Sequence, residues 1–241
     1  MVVRNWLNCS SGFSHGNIIE RTMLTKEDPQ TSGKEGAVLR HIESFSRAYL
    51  EPLVASVPTS HKEIQEVFYI VNGKGTVAVG DIKKGVCQGD GILVPPGLTH
   101  SFVNEQEDEL LEMLILVEKV PEGAEVRKEA LIRNYRERPL GQGHWTHLVH
   151  PLFGRDDGLT VLHNVLIVRI EAMQTPDQHG HGANTDEIWY MLKGSGVHVM
   201  GRDVCVQKPG DVVACYPSTA VHSLINHTEE PLQIFYFAHY E

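Results

Sequence analysis

Four side chains in the C-terminal half have the chemistry to hold a divalent transition metal: His179, His181, Glu187 and His222. His179 and His181 are one residue apart, so on a β-strand their rings share a face, because side chains alternate with period two. A carboxylate shortly after them and a third imidazole from a distant strand would complete a mixed nitrogen and oxygen shell. An incomplete echo lies upstream in His61, Glu66 and His100, with Thr59 where the leading histidine would stand. That earlier set reads in two ways. It is a second metal centre of two histidines and one carboxylate, with Glu63 as a substitute ligand, or a vestigial copy that supports its partner without metal.

The elements that must position these residues are repeated. The run from Glu66 to Gly75 parallels the run from Glu187 to Gly196, Gly89-Asp90 parallels Gly210-Asp211, Pro95 parallels Pro217, and His100 to Asn104 parallels His222 to Asn226. The paired positions are 121 or 122 residues apart and keep their order, which implies two copies of one domain. In the first copy, β-forming runs at 67–71, 76–79, 92–94, 101–103 and 110–117 are separated by Gly, Asn, Asp and Pro, and the second copy repeats the pattern. No segment sustains a 3.6-residue apolar period, so helices should be few and short. Strands are also expected at 39–42 and 50–57, after a less regular arm. The charged, Pro- and Gly-punctuated stretch 120–142 reads as a linker with a short helix around 129–135. The expected division is an N-terminal arm plus first domain at 1–119, the linker at 120–142, and a second domain at 143–241.

These residues resemble the two motifs of the cupin superfamily. His179, His181, Glu187 and Gly194 follow the first motif, with one additional residue before the glutamate. Gly210, Pro217, His222 and Asn226 follow the second, with one extra residue after the glycine and Ser218-Thr219 where the family has X-Gly. In the first half, Gly89, Pro95, Gly97, His100 and Asn104 match the second motif without a gap, whereas the first motif keeps His61, Glu66 and Gly73 but has Thr59 for its leading histidine. The resemblance covers about 55–241. It implies an all-β bicupin: two tandem jelly-roll barrels with few short helices and with the sites inside the barrels. It also implies that three histidines and a glutamate leave coordination positions open for water, dioxygen or substrate, with Fe, Mn, Ni, Zn and Cu all admissible. The superfold hosts many chemistries, so it does not by itself choose a reaction.

His198 stands where the first copy has Val77, on a strand whose Val77 and Val79 read as inward. It is expected either as an acid or base beside the metal, since imidazole titrates near neutrality, or as a hydrogen-bonded core histidine. Trp189 and Met191 share the face of Glu187 by alternation and are expected to line the pocket. His144, His147 and His150 have helix-like spacing, yet Gly141, Gly143 and Pro151 argue against a helix and for a loop leading to the barrel mouth. Gly73-Lys-Gly75 and Gly194-Ser-Gly196 are hairpin turns, not phosphate loops.

A net charge of −10 argues against a nucleic-acid partner held through phosphates. No stretch approaches the roughly 20 apolar residues of a membrane span, and the first residues lack a signal-peptide pattern. Four cysteines without a CxxC pair fit a reduced, cytoplasmic setting. The leading functional expectation is an Fe(II)-type dioxygenase acting on a small anionic or hydroxylated metabolite at the second barrel, with one divalent metal there. A cupin isomerase or decarboxylase stands next, and a non-catalytic metal- and small-molecule-binding protein is the reading from another class. A homodimer is expected, with the first 45 residues supplying an exchanged strand or arm to cover open sheet edges.

Overall fold

The computed structural model describes residues 1–240 apart from 32 and 145. Among the described residues there are strands and short 3-10 helices, and no helix is long and apolar enough to cross a membrane. Each half of the chain builds one larger sheet closed over by a three-stranded one. In the first half, Ile64–Asn72, Leu111–Lys119 and Ser44–Leu50 form the centre of the larger sheet, and Lys74–Val79 centres the smaller. In the second, Asp186–Lys193, Leu232–His239 and Asn164–Ile170 do the same, with Gly196–Met200 centring the smaller sheet.

Alternation along the strands divides the core into three. Phe68, Ile70, Ile92, Phe102 and Ile115 point into the first barrel, while Trp189, Met191, Val213 and Ile234 point into the second. Their sequence neighbours Val67, Tyr69, Leu114, Ile188, Tyr190, Phe235 and Phe237 face outward and meet between the barrels. Strands buried on both faces have no polar side to show, which is why these runs are almost continuously apolar. The barrels are therefore one packed unit.

The unit is tied by exchange of leading strands. Val2–Asn5, at the start of the arm, pairs with Asp211–Ala214 of the second barrel. Leu131–Asn134, inside the expected linker, pairs with Asp90–Val94 of the first. The two ends match residue for residue: Asn5 Nδ2 donates to Asp211 at 2.7 Å and Asn134 Nδ2 to Asp90 at 2.9 Å. Each asparagine then caps a 3-10 turn, Trp6–Asn8 or Tyr135–Glu137. Gly210 and Gly89, both with φ near +90° (89° and 97°), lie beneath these turns. A Cβ on Gly210 would meet the Trp6 ring at 2.8 Å, and one on Gly89 would meet Arg136 at 2.5 Å. The repeated Gly-Asp pairs thus serve the exchanged arm: the glycine lets it approach and the aspartate holds it.

A second pair of ties crosses between barrels. Asp186, fully buried, accepts the backbone N–H groups of Arg40, His41 and Ile42. Glu118, also fully buried, accepts those of Thr160 and Leu162 and the side chain of Gln65. Buried carboxylates are stable here because every one of these loop donors would otherwise be an orphan.

Several local expectations are corrected. Residues 129–135 hold strand and 3-10 turn rather than helix, because pairing with the first barrel overrides local propensity. The expected strand at 39–42 is Ala37–Leu39, and the one expected at 50–57 ends at Leu50, the last residue of Ser44–Leu50, leaving only a bridge from Ala55 to Val103, since Pro52 and the left-handed Leu53 (φ 59°) break it. His147–Gly154 is a strand, not a loop; a register shift between Pro151 and Phe153 absorbs the proline. The strand Ile82–Cys87, with its charged middle, went unseen in the sequence.

Candidate metal centres

In the second barrel the four sequence-flagged groups converge. One donor atom from each of His179, His181, Glu187 and His222 lies within 4.8 Å of the others. Glu187 is carried by the central strand Asp186–Lys193, His222 opens the strand His222–Ile225, and His179 bridges directly to His222 across the barrel end. The Glu187 carboxylate is 2.8 Å from His222 Nε2, 3.2 Å from His181 Nε2 and 4.0 Å from His179 Nε2. The Nδ1 atoms of His179 and His222 face the carbonyls of Asp177 and Ala220, at 3.3 and 3.1 Å. Donation there puts the proton on Nδ1 and turns the Nε2 lone pair toward the carboxylate. His181 Nε2, His222 Nε2 and Glu187 Oε2 are buried without a hydrogen-bond partner. Lone pairs facing lone pairs in a buried site call for a cation, and the donor set of three imidazoles and a carboxylate fits a first-row divalent metal.

Burial alone would raise the Glu187 pKa, but the imidazoles of His181 and His222 beside the carboxylate hold it well below the ordinary range. Burial would lower His222, yet Glu187 raises it; His179 stays lowered, chiefly by burial.

Above these groups lies a cavity of about 490 Å³, lined by Glu187, Trp189, His144, His147, Tyr236 and Tyr240 among others. Trp189 is on its wall. Met191 is not: it is fully buried in the barrel core below. His147 and Trp189 each present a buried ring nitrogen without a partner. Burial brings His147 down to about 4, so the imidazole is neutral. Tyr236 donates to Glu187 at 3.1 Å and is hydrogen-bonded to Tyr240. Burial, with Glu187 nearby, raises both phenols, Tyr240 to about 12, so both keep their protons. The first barrel has Ile18, Phe68 and Ile115 where the second has His147, Trp189 and Tyr236.

His198 sits away from this cavity's wall. It is fully buried behind His222, ring centroids 6.3 Å apart, with Nδ1 3.2 Å from Gln207 Oε1 and Nε2 3.8 Å from the Cys215 thiol. Of His144, His147 and His150, the first two line the cavity with ring centroids 5.9 Å apart, His144 stacking on His179 at 4.0 Å beside Asp177 and His147 facing inward, whereas His150 packs on Tyr135.

In the first barrel, His61 and His100 approach Glu66 at 3.8 and 3.2 Å. Glu63 is exposed, pairs with Lys119 and takes no part. A residue that the sequence reading missed completes the picture: His15, from the arm, lies 3.4 Å from Glu66. Burial would raise Glu66, but His100 and His15 hold it down to about 2.

The Cupin domain family matches residues 48–117 and 166–238, more than half of the chain. The chain belongs to the cupin family. This cupin is similar in structure to an oxalate decarboxylase of Bacillus subtilis, with a TM-score of 0.75 at 14% identity over 100% of this chain and 77% of that one. Protein Ylba of E. coli gives a TM-score of 0.74 at 13% identity, covering 98% and 89% of the two chains. A putative glyoxylate induced protein from Pseudomonas aeruginosa gives 0.75 at 13% identity, covering 94% and 83%. The Bacillus subtilis decarboxylase carries Mn(II) centres. No curated protein matches the sequence. At such identities the likeness establishes the two-barrel fold, and the His/Glu clusters offer donor sets that could hold a divalent metal.

Proposed function

We propose that this cupin is a metal-dependent enzyme acting on a small, hydroxylated metabolite in the C-terminal barrel, by a dioxygenase-like reaction. The observation that carries the reading is the convergence of four donor atoms, three of them buried without a partner, at the floor of a cavity whose walls hold further unpartnered polar groups. A divalent metal held by His179, His181, Glu187 and His222 would supply Lewis acidity and open coordination positions. The remaining chemistry belongs to the chain. His147 Nε2 and Trp189 Nε1 are placed to orient a ligand by hydrogen bonds, and Val149, Leu166 and Val168 give it an apolar wall. Tyr240 and Tyr236 form a proton-holding line that ends on Glu187. No lysine or arginine is among the described residues lining the cavity, which favours hydroxyl over carboxylate groups away from the metal. His198, out of reach of the cavity, would act by positioning His222 rather than by exchanging protons with substrate.

The phenol line supports a second reading, a redox-neutral decarboxylase or isomerase, because a held proton at the metal is what such chemistry requires. Metal analysis of protein purified without added metal, followed by oxygen uptake with candidate metabolites, separates the two. Iron with oxygen consumption supports the first; turnover without oxygen consumption moves the assignment to the second. A ligand recovered unchanged would point to a binding protein.

The cytoplasmic setting and the homodimer belong to the same proposal. The first strand of the arm pairs within its own chain, and the edge we assign to a dimer is Ser11–Ser14, one of several edge strands among the described residues, which exposes Phe13. Sedimentation at micromolar concentration tests it.

A further inference from the structure

We propose that the first barrel is a second metal centre whose third imidazole is His15, delivered by the arm in place of Thr59. Thr59 stands opposite His100 in the same bridge that joins His179 to His222. Its hydroxyl donates to the carbonyl of Val57 at 2.9 Å and contributes nothing to the site. His15 takes the free place. Its side chain is only 5% exposed, its ring lies 5.0 Å from that of His100 and 6.0 Å from that of His61, and both of its nitrogens are buried without a hydrogen-bond partner. Donor atoms of His15, His61 and Glu66 fall within 4.8 Å of one another, and His100 Nε2 reaches the same carboxylate while its Nδ1 faces the carbonyl of Leu98. The result is again three imidazoles and one carboxylate.

The backbone is shaped for this delivery. His15 has φ of 46°, a left-handed conformation uncommon outside glycine, and Gly16 follows with φ of 75°. A Cβ on Gly16 would collide with Val57 at 2.2 Å. The loop is anchored where Val57 donates its N–H to the His15 carbonyl at 2.8 Å and Asn17 donates to the Ala55 carbonyl at 2.8 Å.

The second barrel supplies the control. Phe13 is level with Ile19, and Gln142 with Leu148, so the leading loops of the two halves are in register 129 residues apart and His144 is the counterpart of His15. There the place beside the carboxylate is filled by His179. His144 stacks outside it, 49% exposed, and touches Asp177 instead. One loop histidine thus takes two positions, according to whether the barrel provides its own.

The test uses the full chain, stripped with a chelator and titrated with Co(II), with bound metal counted and the ligand-field spectrum recorded. The second barrel is silenced by His181→Ala with Glu187→Gln. That protein is expected to bind one Co(II) per chain, to weaken at least tenfold on His15→Ala, and to recover when Thr59→His is added to His15→Ala. No Co(II) in the silenced protein, binding unchanged by His15→Ala, or a loss that Thr59→His does not recover would each overturn the proposal. A wild-type chain binding one Co(II) that survives His15→Ala and is lost with the second-barrel changes would overturn this inference while leaving the proposed function standing.

Discussion

His198 Nδ1 lies 3.2 Å from Gln207 Oε1, with neither residue exposed. With Cys215 they form a buried polar group where the first barrel has Val77, Val86 and Val94, all core residues. Gln207 in turn donates to the carbonyl of Trp189 at 2.7 Å, so the group links the strand of Glu187 to the ring behind His222. Polar groups are retained in a core at a cost, and here they stand only beneath the richer site.

Burial holds the His198 pKa down to about 4, against 6.5 for a free imidazole. The folded chain therefore keeps the ring neutral while the unfolded chain protonates it. Stability from this group is present above pH 6.5 and is lost as pH falls toward 4, at up to about 1.4 kcal/mol per pH unit. Replacing His198, Gln207 and Cys215 together by valine should flatten the acid side of the stability curve by that slope. Urea unfolding of metal-free protein at pH 5 and 7 measures it; an unchanged slope would show that His198 is not neutral in the fold.

The exchanged arms predict crossed effects. Asn5→Ala and Asn134→Ala should each cost about 1–2 kcal/mol, the usual range for a cap that also bonds a carboxylate. Hydrogen exchange should rise at 211–214 for the first and at 90–94 for the second. Loosening in the barrel nearer in sequence would contradict the pairing.

Asp186→Ala leaves the N–H groups of Arg40, His41 and Ile42 buried without an acceptor. A loss of about 3 kcal/mol or more is expected, and Glu118→Ala should behave alike through Thr160 and Leu162. Equilibrium denaturation should show both barrels weakened together by either change, because each carboxylate holds the other barrel's loop.

Metal added in large excess should stabilise the wild-type chain and raise its melting temperature, by about 2.7 kcal/mol for each occupied site at one hundred times that site's dissociation constant. Glu187→Gln removes the carboxylate at the centre of the second set and should abolish the second barrel's share of that gain while leaving the first barrel's share. Calorimetry with and without chelator provides the comparison, and an equal gain in the variant would remove Glu187 from the site.

The two barrels and most of the second-barrel donor set were legible in sequence because the signals are local. The one-residue spacing marks His179 and His181 as a donor pair, although their segment forms only an isolated bridge at His179 and no strand; apolar runs mark doubly buried strands, and Gly-Asp pairs mark the turns. The rest depends on groups far apart in the chain. Nothing near Thr59 announces that His15 will stand beside Glu66, since 51 residues separate Glu66 from His15 and no period connects them. Two signals were nevertheless present: Arg4-Asn5-Trp6 against Arg133-Asn134-Tyr135, and His15 against His144, all 129 residues apart. They extend the repeat into the arm and linker, where the motif spacing stops. Sequence alone determined which residues could share a strand face. Which barrel an arm joins, which histidine fills a place left by threonine, and whether His198 meets the cavity were decided by packing between elements, where burial and close approach select among partners that local geometry treats as equal.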